Sequence, residues 1–334
     1  MTSSGSVPTL REMTQAQVAA LNWNVWPAPL IGPPPPSPII ADPTFLPPEE
    51  TQDGSWRLWA HSMFGLLAYT SADGFDWRKL GTVTRNALRA QILSPTNGLL
   101  TGYRLTYEKS RLFLPMGVRW SSWIETRTSG DLNHWSDPSV LVRPSLPWHS
   151  DSKLGDSISN PYLVRVGERW RLYFSAGLTL VPDCGFPEPT YIGVAEADSP
   201  AGPFTLVSEP ILGPGDGPAN LAAGALKVLQ VADGWVGFQN AITWDGRRSA
   251  SAIWVLGSSD GLNWVPLADE PALAPGGQHW RSTHVYALDA RDTALGPRMY
   301  FNARDGYHWS RGRERIGVAM PDRPRVQAVR GPQG

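Results

Sequence analysis

The sequence predicts an all-β chain folded as a five-bladed β-propeller with four-stranded antiparallel blades, and three observations predict it. The 334 residues include 16 Trp, 33 Gly and 32 Pro, stiff aromatics and turn formers that suit short strands joined by tight connections. A short motif recurs: Ser71, Asp73, Gly74 and Trp77; Ser129, Asp131 and Trp135; Ser258, Asp260, Gly261 and Trp264. A looser relative with Asp198, Gly202 and Phe204 fills the gap. Each copy also follows an apolar run, at 65–70, 123–128, 191–196 and 252–256. Asp-Gly between strand-like runs is a hairpin signal, because Gly accepts the positive φ of the turn. The aromatic just beyond would open the next strand and pack between neighbouring sheets.

Upstream of each motif lies a second hairpin of similar design. The first unit offers Asp42, Pro43 and Phe45, a polar turn through Gly54, and Trp56 to Trp59. The second is read as a strand from Tyr103, a turn at Glu108 and Lys109, and a strand over 111–114. The third has Asn160 and Pro161, a turn at Gly167, and Trp170 to Phe174. The fourth runs from Gly224 through Asp233 and Gly234 to Phe238. The fifth has Thr283 to Leu288, a loop through Gly296, Arg298 to Phe301, and Arg315 to Ala319. Five units of roughly 45 to 60 residues, each of four strands, form the radial repetition of a propeller.

Residues 1–37 fall outside the repeat and 38–334 inside it. Thr9 and Glu12 have the form of a capping box, predicting a short helix over 10–21. The prolines at 33–36 predict polyproline II. The segment with Trp23 and Trp26 is expected to pack on, or close, the last blade.

Composition excludes several function classes. A formal net charge of −1 with scattered basic residues leaves no footprint for nucleic acid or an anionic membrane. One cysteine, Cys184, rules out an internal disulfide framework and fits a reducing compartment. Residues 1–8 lack a charged region followed by an apolar run, and no stretch approaches the length of a membrane span. A cytoplasmic protein is the expectation. No phosphate-cradling Gly loop or close His/Cys cluster calls for a cofactor.

In a propeller the innermost strands start, and the second strands end, on one face, which carries the funnel. That places Asp42, His61, Arg119, Trp120, Asn160, Glu188, Asn240, His284, Arg304 and Asp305 near its mouth, with Asp156 on a connection between blades. Acids, amides, Arg and Trp suit a polyhydroxylated ligand, with aromatic faces for sugar CH groups and fork donors for hydroxyls. A small-molecule or oligosaccharide substrate is expected; the oligomeric state is left open.

Over about residues 38–320 the chain resembles the five-bladed glycoside hydrolases of family 43, the clan of arabinofuranosidases, xylosidases and arabinanases. Asp42 before Pro43 looks like that clan's first-blade motif, which implies a general base or, in retaining members, a nucleophile. Glycosidic cleavage needs a second carboxyl to protonate the leaving oxygen. The family's third-blade Asp is replaced by Asn160, and no Glu stands near Ala223, where the family has its general acid. Asp156 is the candidate substitute for the former, and Glu188, Asp245, Asp305 or His284 for the latter. In some relatives a fifth-blade His helps to hold a calcium through water, and His284 matches that position loosely. The expectation is a glycosidase of furanosides or small oligosaccharides. The alternatives are a propeller repurposed as a lyase, isomerase or cyclase, and one that binds carbohydrate without catalysis.

Overall fold

The computed structural model describes residues 8–96, 98–111, 119–277 and 279–322. Five consecutive units of four antiparallel strands follow one another. The first blade comprises Ala41–Leu46, Trp56–Ser62, Gly65–Ser71 and Arg78–Arg85. The second comprises Ala87–Leu93, Tyr103–Ser110, Trp120–Ser129 and Ser139–Val142. The third comprises Ile158–Val166, Arg169–Ala176, Tyr191–Ala197 and Thr205–Leu206. The fourth comprises Ala222–Val231, Gly234–Trp244, Ser249–Ser258 and Val265–Pro266. His284–Arg291, Arg298–Arg304 and Glu314–Pro321 are the inner three strands of the fifth, and Trp23–Val25 is its outermost strand. Each innermost strand lies against the next, and the fifth lies against the first, so the ring is closed.

The recurrent motif builds the turn from third to fourth strand, and the chemistry of Ser and Asp explains why. Ser71 Oγ accepts from the N–H groups of Asp73 and Gly74, while Asp73 Oδ1 accepts from those of Phe75 and Asp76. Ser129 with Asp131, and Ser258 with Asp260, repeat this pattern. The turn needs one residue at positive φ, supplied by Gly74, Gly261 and, without glycine, Leu132. The motif aromatics then meet the neighbouring blade edge-on: Trp77 against Tyr300, Trp135 against Trp59 and Trp264 against Tyr173, with ring centroids 5.6, 6.4 and 6.3 Å apart.

Three expectations need correction. In the second blade, Glu108 and Lys109 are not a turn; they lie inside Tyr103–Ser110 and pair with Ile124 and Trp123. The innermost strand is instead Ala87–Leu93, and the strand placed at 111–114 falls, beyond Arg111, outside the described residues. The helix over 10–21 is two pieces, a 3₁₀ turn Leu10–Glu12 and an α-helix Gln15–Ala19 with its own cap at Thr14. The proline run is not continuous polyproline II, since it turns so that Ser37 N–H reaches Pro34 O at 2.8 Å.

The segment set outside the repeat closes the ring. Trp23, Asn24 and Val25 pair with Pro321, Met320 and Ala319, and Trp23 packs edge-on against Phe238 in the core shared by the fourth and fifth blades. A Trp23→Ala variant should lose about 3–5 kcal/mol of stability, as buried aromatic truncations do. Denaturant unfolding measures this; a loss below about 0.5 kcal/mol, typical of surface sites, would mean that the closing strand contributes little.

Candidate functional site

Every innermost strand carries a β-bulge at the same level, near its start. The register slips between Ala41 and Thr44, Leu88 and Gln91, Ser159 and Tyr162, Ala222 and Ala225, and Val285 and Leu288. A bulge re-aims side chains, and here residues of all five bulges line one cavity: Asp42, Arg89, Asn160, Gly224 and Tyr286. The first four have positive φ, +50°, +46°, +48° and +65°. The cavity holds about 850 Å³, counting space open to solvent, within the range of ligand pockets.

Asp42 is held by its backbone. Its N–H donates to Asn302 Oδ1 at 3.0 Å, and Asn302 Nδ2 in turn donates to Glu314 Oε1. Its carboxylate lies 3.3 Å from His61 Nδ1. Burial pushes that imidazole down to about 4 despite the Asp42 charge, so the contact is not an ion pair at neutral pH. A neutral ring can donate from Nδ1 to Asp42 or accept there from Arg89 N–H, 3.4 Å away, one at a time.

Glu188 arrives from an insertion. Between the second and third strands of the third blade the chain makes an extra hairpin, Thr179–Val181 with Phe186–Glu188. Its tip is fastened to the fourth blade, where Asp183 accepts from Ser249 N–H and Oγ at 3.0 and 2.7 Å. It is also fastened to the fifth, where Trp309 N–H donates to Cys184 O at 2.9 Å. Cys184 lines the cavity, but burial pushes its thiol up to about 12, so it carries no thiolate.

Glu188 lies 3.6 Å from Arg89, whose other nitrogen pairs with the buried Glu108 at 2.8 Å. Burial nonetheless raises the Glu188 carboxyl to about 7, with the negative charge of Asp42 acting in the same direction against the opposing Arg89. Glu314, 7% exposed, is raised to about 7 by burial as well; Arg304 opposes this, and Asp42 and Glu188 reinforce it. Arg304 lies 3.9 Å from Glu314 and spends its other nitrogens on the carbonyls of Gly306 and His308.

Of the residues named from the sequence, Asp42, His61, Asn160, Glu188, Asn240 and Arg304 meet in this cavity. Five do not line it. Asp156 sits in the short strand Gly155–Asp156 beside Trp120 and Ser121, half exposed and 3.9 Å from a more exposed Arg119. Trp120 is buried behind the wall, donating to Ser122 Oγ at 2.9 Å and contacting Phe186. Asp305 is occupied by Arg315 at 2.7 Å. His284 stacks on Tyr286 and meets Ser249 Oγ at 3.0 Å, and burial pushes its imidazole down to about 4. It does not line the cavity, and among the described residues no group of three His, Cys, Asp or Glu side chains with the geometry to hold a metal ion is found.

Sequence reasoning missed Arg89 and Glu314. The signal for Arg89 was its equivalence to Asp42 and Asn160, hidden because the second blade was read one strand late. Glu314 stands between Arg313 and Arg315, a run that reads as solvated. The absent fourth-blade acid has a steric reason: at Gly224 a Cβ would sit 2.0 Å from Asn240 O, on a backbone at φ +65°.

No family model and no curated protein matches the chain. Solved structures do. An N-acetylgalactosamine deacetylase from F. plautii, in complex with blood group B trisaccharide, superposes with a TM-score of 0.62 at 15% identity over 90% of this chain and 96% of that one. An α-L-arabinofuranosidase from Podospora anserina, in complex with cellotriose, gives 0.61 at 16% identity over 90% and 97%. A family 43 endo-arabinanase from Bacillus licheniformis gives 0.56 at 14% identity over 84% and 93%. At these identities the likeness is one of fold, and it is the fold that the resemblance implied.

Raised carboxyl pKa values have a stability signature. An acid with a folded pKa near 7, against 4.5 unfolded, binds more protons folded than unfolded between those values, so its contribution falls as pH rises through that window. The imidazoles of His61, His149 and His284, pushed down to about 4, act oppositely from there to about 6.5. The informative quantity is therefore the difference between wild type and Glu314→Gln. That variant should gain stability relative to wild type as pH rises through the window in denaturant titrations. A pH-independent difference would contradict the protonated Glu314.

Proposed function

We propose that the chain is a glycoside hydrolase-like enzyme that cleaves a furanoside or small oligosaccharide in the central funnel. One observation carries the reading: the Asp42 carboxylate and a second carboxyl, Glu188, that burial keeps protonated near neutral pH, line the same cavity. A carboxylate facing a second acid that holds its proton is what glycosidic cleavage requires. Glu188 would give its proton to the leaving oxygen as the C–O bond breaks. Asp42, beside His61, would take a proton from the water whose oxygen attacks the anomeric carbon. If Asp42 attacks that carbon itself, the product keeps its configuration, and NMR of the first-formed sugar separates the two courses. Phe186, Trp309 and Tyr286 supply aromatic surface for sugar CH groups. The neighbours solved with bound saccharides support a carbohydrate ligand.

The non-hydrolytic reading is favoured by Asn160 and Gly224, which leave two of the family's acid positions without a carboxyl. Turnover of chromogenic and fluoride glycosides decides between them. Asp42→Asn and Glu188→Gln should each lower kcat by about 10²–10⁴. The loss in Glu188→Gln should shrink with a leaving group that needs no proton, and wild-type activity should fall as pH rises past about 7. Glycoside binding without any turnover by wild type would sink the hydrolase in favour of the repurposed or binding propeller.

A further inference from the structure

Taking the funnel as a sugar site, its hydrogen-bonding groups are unevenly supplied. The lining acceptors are the carboxyls of Asp42, beside His61, of Glu188, 3.6 Å from Arg89, and of Glu314, one of whose oxygens accepts from Asn302; Asn160, only 4% exposed, also lines the cavity, and its buried Oδ1 has no hydrogen-bond partner. The guanidinium and amide donors are engaged. Arg89 is held by Glu108, Arg304 by two backbone carbonyls, and Asn240 Nδ2 by Ser251 Oγ and Val285 O.

Charge is uneven in the same direction. Four carboxyls, counting Glu108 behind Arg89, stand against two guanidinium groups, and His61 adds no charge at neutral pH. Lys227, the next cation, has Asp289 as its stronger electrostatic partner. Uncompensated buried carboxylates are costly, and the site takes up protons instead. What the cavity lacks is a ligand richer in donors than a neutral sugar, carrying positive charge.

The geometry points to an amino sugar, a glycoside bearing a protonated amine, as the ligand of this funnel. Its ammonium satisfies Asn160 Oδ1 or one of the carboxylates and restores their ionisation, so that binding releases protons. Glu314, held by Asn302 and faced by Arg304, Asp42 and Glu188, is then a specificity residue. Glu188 is faced by Arg89, Asp42, Glu108 and Arg304, so both acids respond to the same added charge.

The test is titration calorimetry of the whole chain with glucosamine against glucose, and galactosamine against galactose, at about pH 5 and about pH 7. At least one amino sugar should bind about tenfold more tightly than its hydroxyl partner at the higher pH. The ratio should narrow at the lower pH, and the binding heat should vary with buffer ionisation enthalpy as protons leave. Glu314→Gln, whose side-chain oxygen can still accept from Asn302, should reduce the ratio. Equal affinities, no measurable binding of either amino sugar, or binding without proton release overturns the inference, whatever the fate of the variant. An amine preference in a chain that turns over no glycoside keeps it and removes the hydrolase; turnover of neutral furanosides without that preference does the reverse.

Discussion

The contact between a turn and the blade before it holds this ring together. Tyr300 Oη donates to Gly74 O, and Tyr173 Oη donates to Gly261 O, both at 2.7 Å and both buried. Gly74 and Gly261 could not be anything larger: a Cβ would fall 2.8 and 2.6 Å from those hydroxyls. Beside the first, Arg298 lies over Trp56 and Phe75; beside the second, Arg171 donates to Asp260 O. Aromatic burial supplies the energy of these two seams and the Tyr hydroxyl fixes their register, because an unpaired buried phenol would be destabilising. At these two seams the turn of one blade is thus fixed against the second strand of its neighbour.

At the five bulges, the chemistry available to the funnel is limited by backbone shape. The fourth-blade bulge needs a glycine, which leaves one position of the ring without a side chain. The inserted hairpin delivers Glu188 instead, from the neighbouring third blade. Carboxyl delivery by a clamped hairpin differs from delivery by a strand, because its placement depends on Asp183 and Ser249 at the tip rather than on the sheet ladder. Residues as remote as Ser249 are therefore coupled to the position of a group lining the funnel.

Much of the fold was legible because its markers are local. Ser, Asp and Gly at fixed offsets specify a turn whatever surrounds them, and a Trp at fixed distance beyond shows where the next seam lies. Asp42 and Asn160 were legible for the same reason, each preceding a proline at a strand start. The innermost strand of the second blade was not. Its bulge at Arg89 breaks the two-residue alternation between Leu88 and Gln91, so Ala87–Leu93 looks like neither strand nor turn. Glu314 was hidden by its arginine neighbours; Arg315 turns to Asp305 while Glu314 turns inward, a distinction made by strand register that no charge pattern records. Asp156 and Asp305 show the converse, since loop acids look alike until a nearby arginine engages them.

The closing strand Trp23–Val25 is among the earliest described parts of the chain to be synthesised, and its partners Ala319–Pro321 are among the last. On the ribosome it must therefore wait, with its ladder groups unpaired and Trp23 uncovered, while four blades assemble behind it. Loop-closure entropy for so distant a pairing is recovered only at the final step. Until then the partly made protein exposes a strand edge and an open ring, so a second nascent copy could supply the missing strand in place of its own. Crowded translation would thereby favour interlinked chains, and the short length of this strand limits how firmly such a mistaken partner could hold.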